Sequence, residues 1–168
     1  MIDVETAVDV PSLYATHRLP LVRLAILLVD DQASAEDVVQ DAFIGLHRNQ
    51  DKIRDPQAAI GYLRTSVVNH ARSMLRRRRT VRRHLKSAEP EATAGADSDV
   101  LLAEEHREVL AAVRTLPPRQ QEVLVLRYWS DLSEAEIAEA LGISRGAVKS
   151  QASRAIDKLE QMLGGAAR

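Results

Sequence analysis

The stretch LSEAEIAEALGISRGAVKSQASRAIDKL, Leu132–Leu159, predicts two helices joined by a tight turn. Ser133 followed three residues later by Glu136 forms a capping box, which opens a helix. Gly142 supplies the left-handed backbone conformation that ends this helix, and Ser144 is suited to cap the next one. Together these signals describe a helix-turn-helix motif, with an ordinary helical hairpin as the alternative.

The second of these helices has two chemically different sides. Its expected buried side is aliphatic and consists of Val148, Ala152, Ala155, Ile156 and Leu159. Its expected outer side carries hydroxyl and cationic groups, namely Arg145, Lys149, Ser150, Ser153 and Arg154. Such groups suit phosphates and base edges in a major groove. A plain hairpin would need neither this cationic side nor the small Ala138 at the helix crossing, so we expect this end of the chain to bind DNA.

The composition indicates an all-α protein with an aliphatic core. Of the 168 residues, 45% are hydrophobic but only 3% are aromatic, and Ala, Leu, Arg and Glu dominate. There is no cysteine, which excludes disulfides and thiolate metal sites. The N-terminal residues do not resemble a signal peptide, and the longest apolar run, Leu24–Val29, is too short to span a bilayer. We therefore expect a soluble cytoplasmic protein with no membrane contact.

The formal net charge of −1 hides strong segregation of charge along the chain. Residues 24–47 contain five acidic residues and no Lys or Arg, whereas residues 56–88 contain nine Lys or Arg and no acidic residue. Residues 89–108 are acidic again. This alternation suggests separate polyanionic and polycationic contacts on one molecule.

Breaker and capping residues divide the chain into two helical domains. In the first we expect helices from Ser12 to Val29 with a kink at Pro20, from a Ser34 cap to Asn49, and from Asp55-Pro56 to about His84. Residues 87–99 have no apolar periodicity and are predicted to form a flexible linker. The predicted domains are therefore residues 1–86 and 100–168, the second a winged-helix-like domain of four helices containing the helix-turn-helix.

An acidic helix in the first domain has a surface that capping alone does not explain. Its buried stripe is predicted to be Ala35, Val38, Val39, Ala42, Phe43 and Leu46. The opposite side carries Glu36, Asp37, Gln40 and Asp41. Acidic residues in a first turn stabilise a helix by about 0.3–1 kcal/mol each, which accounts for Glu36 and Asp37. It does not account for Asp41, which lies further along beside Gln40.

Three segments together resemble one protein family. These are AEDVVQDAF (residues 35–43), YLRTSVVNHARSMLRRRR (residues 62–79) and LPPRQQEVLVLRY (residues 116–128). In this order, separated by a variable linker, they resemble bacterial RNA polymerase sigma factors of the extracytoplasmic-function group. The resemblance covers most of residues 13–86 and 100–160. It implies an alternative sigma factor that binds core RNA polymerase, recognises promoter DNA and starts transcription of a specific regulon.

The resemblance implies where the polymerase would bind. In this family the acidic helix docks on the clamp helices of the largest polymerase subunit, and the polymerase flap is a further contact. Glu36, Asp37, Gln40 and Asp41 would form this contact, with Val39 and Phe43 packed beneath them. The linker would extend towards the active-site cleft and RNA exit channel. A solvated tether is the alternative interpretation of the linker.

Promoter contacts follow from the same resemblance. The long basic helix would lie along the minus-ten element, with DNA contacts from Arg64, Asn69, Arg72, Arg76 and Arg77. The whole run Arg76–Arg79 is interpreted as a grip on backbone phosphates. A loop at residues 49–55 would capture one flipped base, and Tyr62 stands where the family usually has Trp. The outer side of the second helix of the helix-turn-helix would read the minus-thirty-five element.

No catalytic residue, metal site or cofactor is predicted. The five His residues are scattered, and there is no Gly-rich phosphate loop or nucleophile elbow. Members of the family are commonly restrained by an anti-sigma factor, so such a partner is expected. Two other functions stay open. One is a regulator of the response-regulator kind, which would need a receiver domain with alternating strands and helices. The other is a decoy that binds a regulator but no promoter.

Overall fold

The computed structural model describes residues 7–85 and 107–165, and within these ranges every regular element is a helix. The helices are α1 (Val10–Val29), α2 (Gln32–Asn49), α3 (Pro56–His84), α4 (Arg107–Arg114), α5 (Pro118–Tyr128), α6 (Glu134–Leu141) and α7 (Arg145–Gly164). The all-α prediction is confirmed. The predicted linker, residues 87–99, lies outside the described residues, so the domain boundaries stay a prediction.

Helix α1 provides the centre of the core. It begins at an Asp9 cap, whose carboxylate accepts a hydrogen bond from the Ser12 amide at 3.2 Å. Pro20, the position of the expected kink, does not end the helix, which continues to Val29 despite the missing proline N–H. Residues Leu24–Val29 are all buried. By length and composition α1 could cross a membrane, but this apolar part is packed against other helices, as expected of a core helix.

The start of α2 differs from the prediction. Asp31 is the cap, because its Oδ1 accepts a hydrogen bond from the Ser34 amide at 2.8 Å, and the helix begins at Gln32. Ser34 is therefore inside the first turn. No acidic residue remains in that turn, so the favourable position beside the helix N-terminus no longer accounts for Glu36 and Asp37. The predicted apolar stripe is buried as expected.

Helix α3 begins where the sequence predicted. The Asp55 carboxylate accepts a hydrogen bond from the Gln57 amide at 3.0 Å, and Pro56 occupies the first turn, where its missing N–H has no cost. Ala59, Leu63, Val67, Val68 and Ala71 form its buried face. They pack against α1 and α2, so the first half is a three-helix core with the basic end of α3 extending beyond it.

The second half contains the predicted helix-turn-helix. Both capping-box bonds are present: the Ser133 amide donates to Glu136 Oε2 at 2.8 Å, and the Glu136 amide donates to Ser133 Oγ at 3.2 Å. Gly142 has a φ of 64° and turns the chain, after which Ser144 caps α7 through the Ala147 amide at 3.0 Å. Of the predicted inner side of α7, Val148, Ala152 and Ala155 are buried, whereas Ile156 and Leu159 are half-buried.

The two halves pack against each other, which the sequence did not predict. Helices α4 and α5 contact α1, and α6 contacts the first part of α3. One hydrophobic cluster runs through both halves, from Val22 in α1 to Val148 in α7. The N-terminal surface of α3 is consequently covered by the first helix of the helix-turn-helix.

The turn between α6 and α7 leads to a stability prediction. Gly142→Ala should lower the free energy of unfolding by roughly 1–2 kcal/mol, because an L-residue is strained in the left-handed conformation. Gly61→Ala is the matched control, because this glycine lies within α3 and an added Cβ would contact nothing within 4 Å. It should raise stability by roughly 0.5–1 kcal/mol. Urea unfolding of the full chain measures both, and changes of equal sign would contradict the argument.

Candidate nucleic-acid interface

Helix α7 presents the predicted recognition residues on one open side. Arg145, Lys149, Ser150, Ser153 and Arg154 are all exposed, while Val148 behind them is completely buried. Lys149 Nζ lies 3.9 Å from Glu134 Oε2, yet the Lys149 side chain is 71% exposed. An exposed ion pair of this kind contributes little stabilising free energy. The Lys149 side chain can therefore leave it to reach a base or phosphate. The whole cationic side of α7 is open to solvent.

The acidic side of α2 is also open. Asp37, Gln40 and Asp41 are exposed, and Val39 and Phe43 are buried beneath them, as predicted. Glu36 differs, because it is half-buried and its Oε1 accepts from Gln32 Nε2 at 3.1 Å and lies 3.7 Å from Arg18 Nη2. Its charge is therefore partly compensated within the chain.

An apolar residue extends this acidic surface. Ile44 is 43% exposed and follows Asp41 by three positions, which places it on the same side of α2. Sequence reasoning missed Ile44. The signal was available, because Ile44 is apolar and falls outside the buried stripe of its helix. Acidic groups beside an exposed aliphatic side chain suit a protein partner better than DNA.

The predicted minus-ten residues of α3 fall into two groups. Asn69, Arg76 and Arg77 are exposed, whereas Arg64 and Arg72 are half-buried. Arg72 makes a bidentate ion pair with Glu122 of α5. Its Nε donates to Oε1 at 3.1 Å, and its Nη2 donates to Oε2 at 3.0 Å. The structure therefore presents three of the five residues to solvent and engages Arg72 with the other half of the chain.

Arg78 corrects the interpretation of the run Arg76–Arg79 as a uniform phosphate grip. Its guanidinium donates to the Val29 carbonyl and Asp31 Oδ2, both at 3.4 Å, and to Ser34 Oγ. It therefore ties α3 to the junction of α1 and α2 instead of facing DNA. The spacing contained this signal, because Arg78 lies seven residues after the buried Ala71 on the same side of the helix.

The same contacts set the pKa of Asp31. Burial would raise it, but hydrogen bonds from Ser34 and the charge of Arg78 together outweigh burial, and the pKa of Asp31 is lowered. A carboxyl group with a lowered folded-state pKa stabilises the fold above its ordinary range. That contribution is lost as the pH falls through the lowered value. Arg78 and Asp31 are thus part of the fold's acid stability.

Tyr62 contacts the end of α2, next to the loop that follows this helix. Its hydroxyl accepts a hydrogen bond from Asn49 Nδ2 at 3.4 Å, and the same nitrogen donates to the Gly45 carbonyl at 2.9 Å. A Cβ on Gly45 would lie 2.7 Å from the Tyr62 hydroxyl oxygen, so glycine is needed for this approach. Tyr62 therefore holds the end of α2, where the predicted base-capturing loop begins, and does not project as a stacking platform.

Other kinds of site have little support in the described ranges. Within residues 7–85 and 107–165, no group of three or more His, Asp or Glu side chains is arranged to hold a metal ion. Several clefts lie between the two halves. One, of about 400 Å³, is bounded by apolar residues of α1 and α3, by Pro117 and Pro118, and by arginines.

Comparisons with known proteins identify both halves of the chain. Residues 13–81 match the family model described as Sigma-70 region 2, and residues 106–159 match Sigma-70, region 4. The RNA polymerase sigma-E factor of Streptomyces avermitilis is 33% identical over 88% of this chain and 81% of its own length. The ECF RNA polymerase sigma factor SigM of Mycobacterium tuberculosis is 31% identical over 90% of this chain and 76% of its own.

Two solved structures share the fold across both halves. The sigma factor RpoE of Bartonella quintana, solved with the anti-sigma factor NepR, has a TM-score of 0.71 and 27% identity. That match covers 92% of this chain and 95% of RpoE. CnrH, solved with the cytosolic domain of CnrY, has a TM-score of 0.67 and 25% identity over 93% of this chain and 88% of CnrH.

The different surroundings of Arg78 and Arg77 give a prediction. Arg78→Gln should lower the free energy of unfolding by about 1–2 kcal/mol, because charge-assisted hydrogen bonds are lost at a half-buried junction. Arg77→Gln should change stability by less than about 0.5 kcal/mol, because this side chain is exposed. Arg77→Gln should instead flatten the salt dependence of DNA binding by about one phosphate contact.

Urea unfolding and DNA titrations over a salt series distinguish these two roles. An Arg78→Gln variant with unchanged stability and a flattened salt dependence would show that Arg78 contacts phosphate after all.

Proposed function

The chain belongs to the extracytoplasmic-function group of sigma-70 RNA polymerase sigma factors. From this we propose which of its surfaces binds polymerase and which ones bind promoter DNA. As an alternative sigma factor it joins core RNA polymerase, recognises promoter DNA and starts transcription of a specific set of genes. Phosphodiester synthesis belongs to the polymerase, and we assign no catalytic role to this chain. We place its activity in the cytoplasm, where polymerase and promoter are found.

The observation that carries the proposal is the separation of three chemically distinct surfaces on one chain. The open side of α7 is cationic and hydroxylated, the solvent side of α3 is rich in arginine, and the open side of α2 is acidic. A protein that only binds DNA has no need for the acidic surface. A protein that only binds a regulator has no need for the two cationic ones.

We assign minus-thirty-five recognition to α7. Lys149, Ser150, Ser153 and Arg154 are neighbours at helical spacing and exposed together, so they can enter a major groove as one patch. Lys and Arg favour the guanine acceptors, and Ser can bond either kind of base edge. Arg145 lies at the start of the helix, where a phosphate contact is more suitable.

We assign minus-ten binding to α3. Asn69, Arg76 and Arg77 are open to a melted strand, and Arg64 and Arg72 complete the surface once their present neighbours move away. A basic track along a single strand is how proteins hold unpaired DNA. Because Tyr62 holds the end of α2, base capture falls to the loop at residues 50–55.

We assign polymerase docking to Asp37, Gln40 and Asp41, extended by the exposed Ile44. These residues share one open side of α2 and none of the three polar ones is needed for capping. Glu36 is the weakest member of the predicted set because Arg18 and Gln32 already contact it.

A restraining partner is part of the proposal. The similarity to RpoE in complex with the anti-sigma factor NepR extends over 92% of this chain and therefore includes both halves. The structure described here therefore resembles that of RpoE in its complex with NepR. We propose that an anti-sigma factor binds this chain in the same closed arrangement.

A regulator of the response-regulator kind is the main alternative. It would carry a receiver domain before the helix-turn-helix, but residues 7–85 contain three helices and no strand. Such a regulator would also act on a polymerase that already holds another sigma factor. Run-off transcription with purified core polymerase separates the functions, because only a sigma factor restores promoter-specific initiation to the core enzyme alone. Absence of specific transcripts from every promoter tested would contradict the proposal.

Polymerase docking gives a prediction for α2. Asp41→Arg should weaken co-purification with core polymerase at least tenfold, because reversing a charge at a contact that excludes water costs several kcal/mol. Binding of DNA by the full chain should not fall. Glu160→Arg is the control, since it makes the same charge change at an exposed position on α7. Equal core binding by both variants would remove the assignment of Asp41.

Base reading by α7 gives a second prediction. Lys149→Ala and Arg154→Ala should each reduce binding to the preferred minus-thirty-five element by about 1–3 kcal/mol, and at least one should relax preference at a single base position. Arg145→Ala is the internal control, since loss of a phosphate contact weakens all sequences equally. A binding series over single-base variants measures this. Uniform loss in all three variants would show that α7 positions the protein without reading sequence.

A further inference from the structure

The last turns of α3 extend beyond the packed part of the chain. The buried residues of this helix end at Ala71, and the half-buried Arg78 ties the helix to Asp31 and Ser34. Residues 79–85, which follow Arg78, are all exposed. A helix end without buried apolar contacts can unwind locally while the core stays folded. This end of α3 can therefore be presented to another protein as an extended segment.

Thr80 is the hydroxyl-bearing residue of this exposed end. Its side chain is exposed, and its Oγ1 donates a hydrogen bond to the Arg76 carbonyl at 3.1 Å. Such a bond to the carbonyl four residues earlier is a local alternative for a threonine inside a helix, and it contributes little to the fold. The Thr80 hydroxyl is therefore open to solvent and available for chemistry.

The residues around Thr80 have a pattern that suits a protein kinase. Four arginines, Arg76–Arg79, come directly before Thr80, and Val81, which follows it, is 53% exposed. Kinases select substrates by charge pattern, and an acidic substrate groove attracts arginines that lie two and three residues before the acceptor. An apolar side chain directly after the acceptor can fill a pocket beside the active site. The segment thus offers both charge and an apolar contact to such a groove.

Ser73, the other exposed hydroxyl group of α3, lacks this combination. It follows the single Arg72 and lies two residues after the buried Ala71, in the packed part of the helix. An extended conformation at Ser73 would break the packing of α3 against the core. Thr80 is therefore the better acceptor of the two.

A phosphate on Thr80 would lie among cations. Residues three and four positions away are neighbours on a helix, and for Thr80 these are Arg76, Arg77, Arg83 and His84. Residues 56–88 contain no acidic residue that could pair with these groups along the helix. Phosphothreonine carries a charge of about −1.5 to −2 at neutral pH, and guanidinium groups bind phosphate through paired, charge-assisted hydrogen bonds.

From this arrangement we propose that Thr80 is a phosphorylation site for an arginine-directed serine/threonine kinase, and that its phosphate occupies Arg76 and Arg77 in place of DNA. In the transfer, Thr80 Oγ1 attacks the γ-phosphorus of ATP. The bond from Oγ1 to phosphorus forms as the bond from phosphorus to the β,γ-bridging oxygen breaks. A carboxylate of the kinase takes the hydroxyl proton, and ADP leaves. The effect on DNA rests on the proposed function of α3, whereas the acceptor chemistry does not.

The first test isolates the effect of a negative charge at position 80. Thr80→Glu adds a charge, and Thr80→Gln is its neutral match in size. Binding of a fluorescent single strand of mixed sequence to the full chain is followed by anisotropy over a salt series. Thr80→Glu should bind at least threefold more weakly than Thr80→Gln, and its salt dependence should be flatter by about one to two phosphate contacts. Equal binding by these two variants would overturn the proposal.

A charge elsewhere on the chain is the control for position. Thr16→Glu makes the same change at an exposed threonine of α1. It should leave strand binding within about twofold of the unchanged protein, because the added charge has no arginine of α3 as a helical neighbour. An equal loss in Thr16→Glu and Thr80→Glu would show a general effect of net charge and would contradict the local pairing. Circular dichroism of each variant checks that the helix content is unchanged.

The second test concerns the acceptor itself. The full chain is incubated with magnesium ATP and a purified kinase that selects arginine before serine or threonine, and the modified residue is located by mass spectrometry. We expect about one phosphate per chain on Thr80, and loss of this incorporation in Thr80→Val. The phosphorylated chain should bind the single strand at least tenfold more weakly, and treatment with a phosphatase should restore binding.

The outcomes separate this inference from the proposed function. Incorporation on other residues, with none on Thr80, would overturn the modification site whatever α3 binds. Full phosphorylation of Thr80 with unchanged strand binding would overturn the competition for Arg76 and Arg77. If the unmodified chain bound the strand without salt dependence, the assignment of α3 to DNA would fail, and the mass spectra would still decide whether Thr80 is the acceptor.

Discussion

Six consecutive apolar residues, Leu24–Val29, impose the constraint on which the arrangement of the molecule depends. Consecutive residues point in all directions around a helix, so this part of α1 must be shielded from water on every side. Helices α2 and α3 cover part of it, and α4 and α5 contact it as well. Burial of apolar surface therefore brings α5 against α1, and this placement then brings Glu122 to Arg72.

The sequence contained the parts of the fold that depend on neighbouring residues. The Ser133 capping box, the Gly142 turn and the Asp55 cap were predictable because each acts within four residues of its position. The cap of α2 was misplaced because Asp31 and Ser34 are both good capping residues and lie three positions apart. The sequence around them does not show which of the two caps α2. In the structure, Arg78 of α3 donates hydrogen bonds to Asp31 and to the Ser34 hydroxyl. The sequence around the start of α2 does not contain these contacts.

Contacts between the halves could not be predicted in the same way. Arg72 and Glu122 are separated by 50 positions, and each looks like an ordinary surface charge on its own helix. The pattern of α3 predicted a basic helix and placed Arg78 on its buried side, but it could not show that Arg78 contacts Ser34 or that Arg72 contacts a carboxylate of α5. The exposure of Asp37, Gln40 and Asp41 was predictable, because it follows from the spacing of the buried stripe of α2 alone.

The ion pair between Arg72 and Glu122 joins α3 to α5 without enclosing both charges. The Arg72 side chain is 30% exposed and the Glu122 side chain 10% exposed. Because water reaches the guanidinium group, separation of the pair would not leave an unpaired charge in an apolar interior. The apolar residues of α1 therefore hold the two halves together, and the ion pair adds a contact that can separate as water enters.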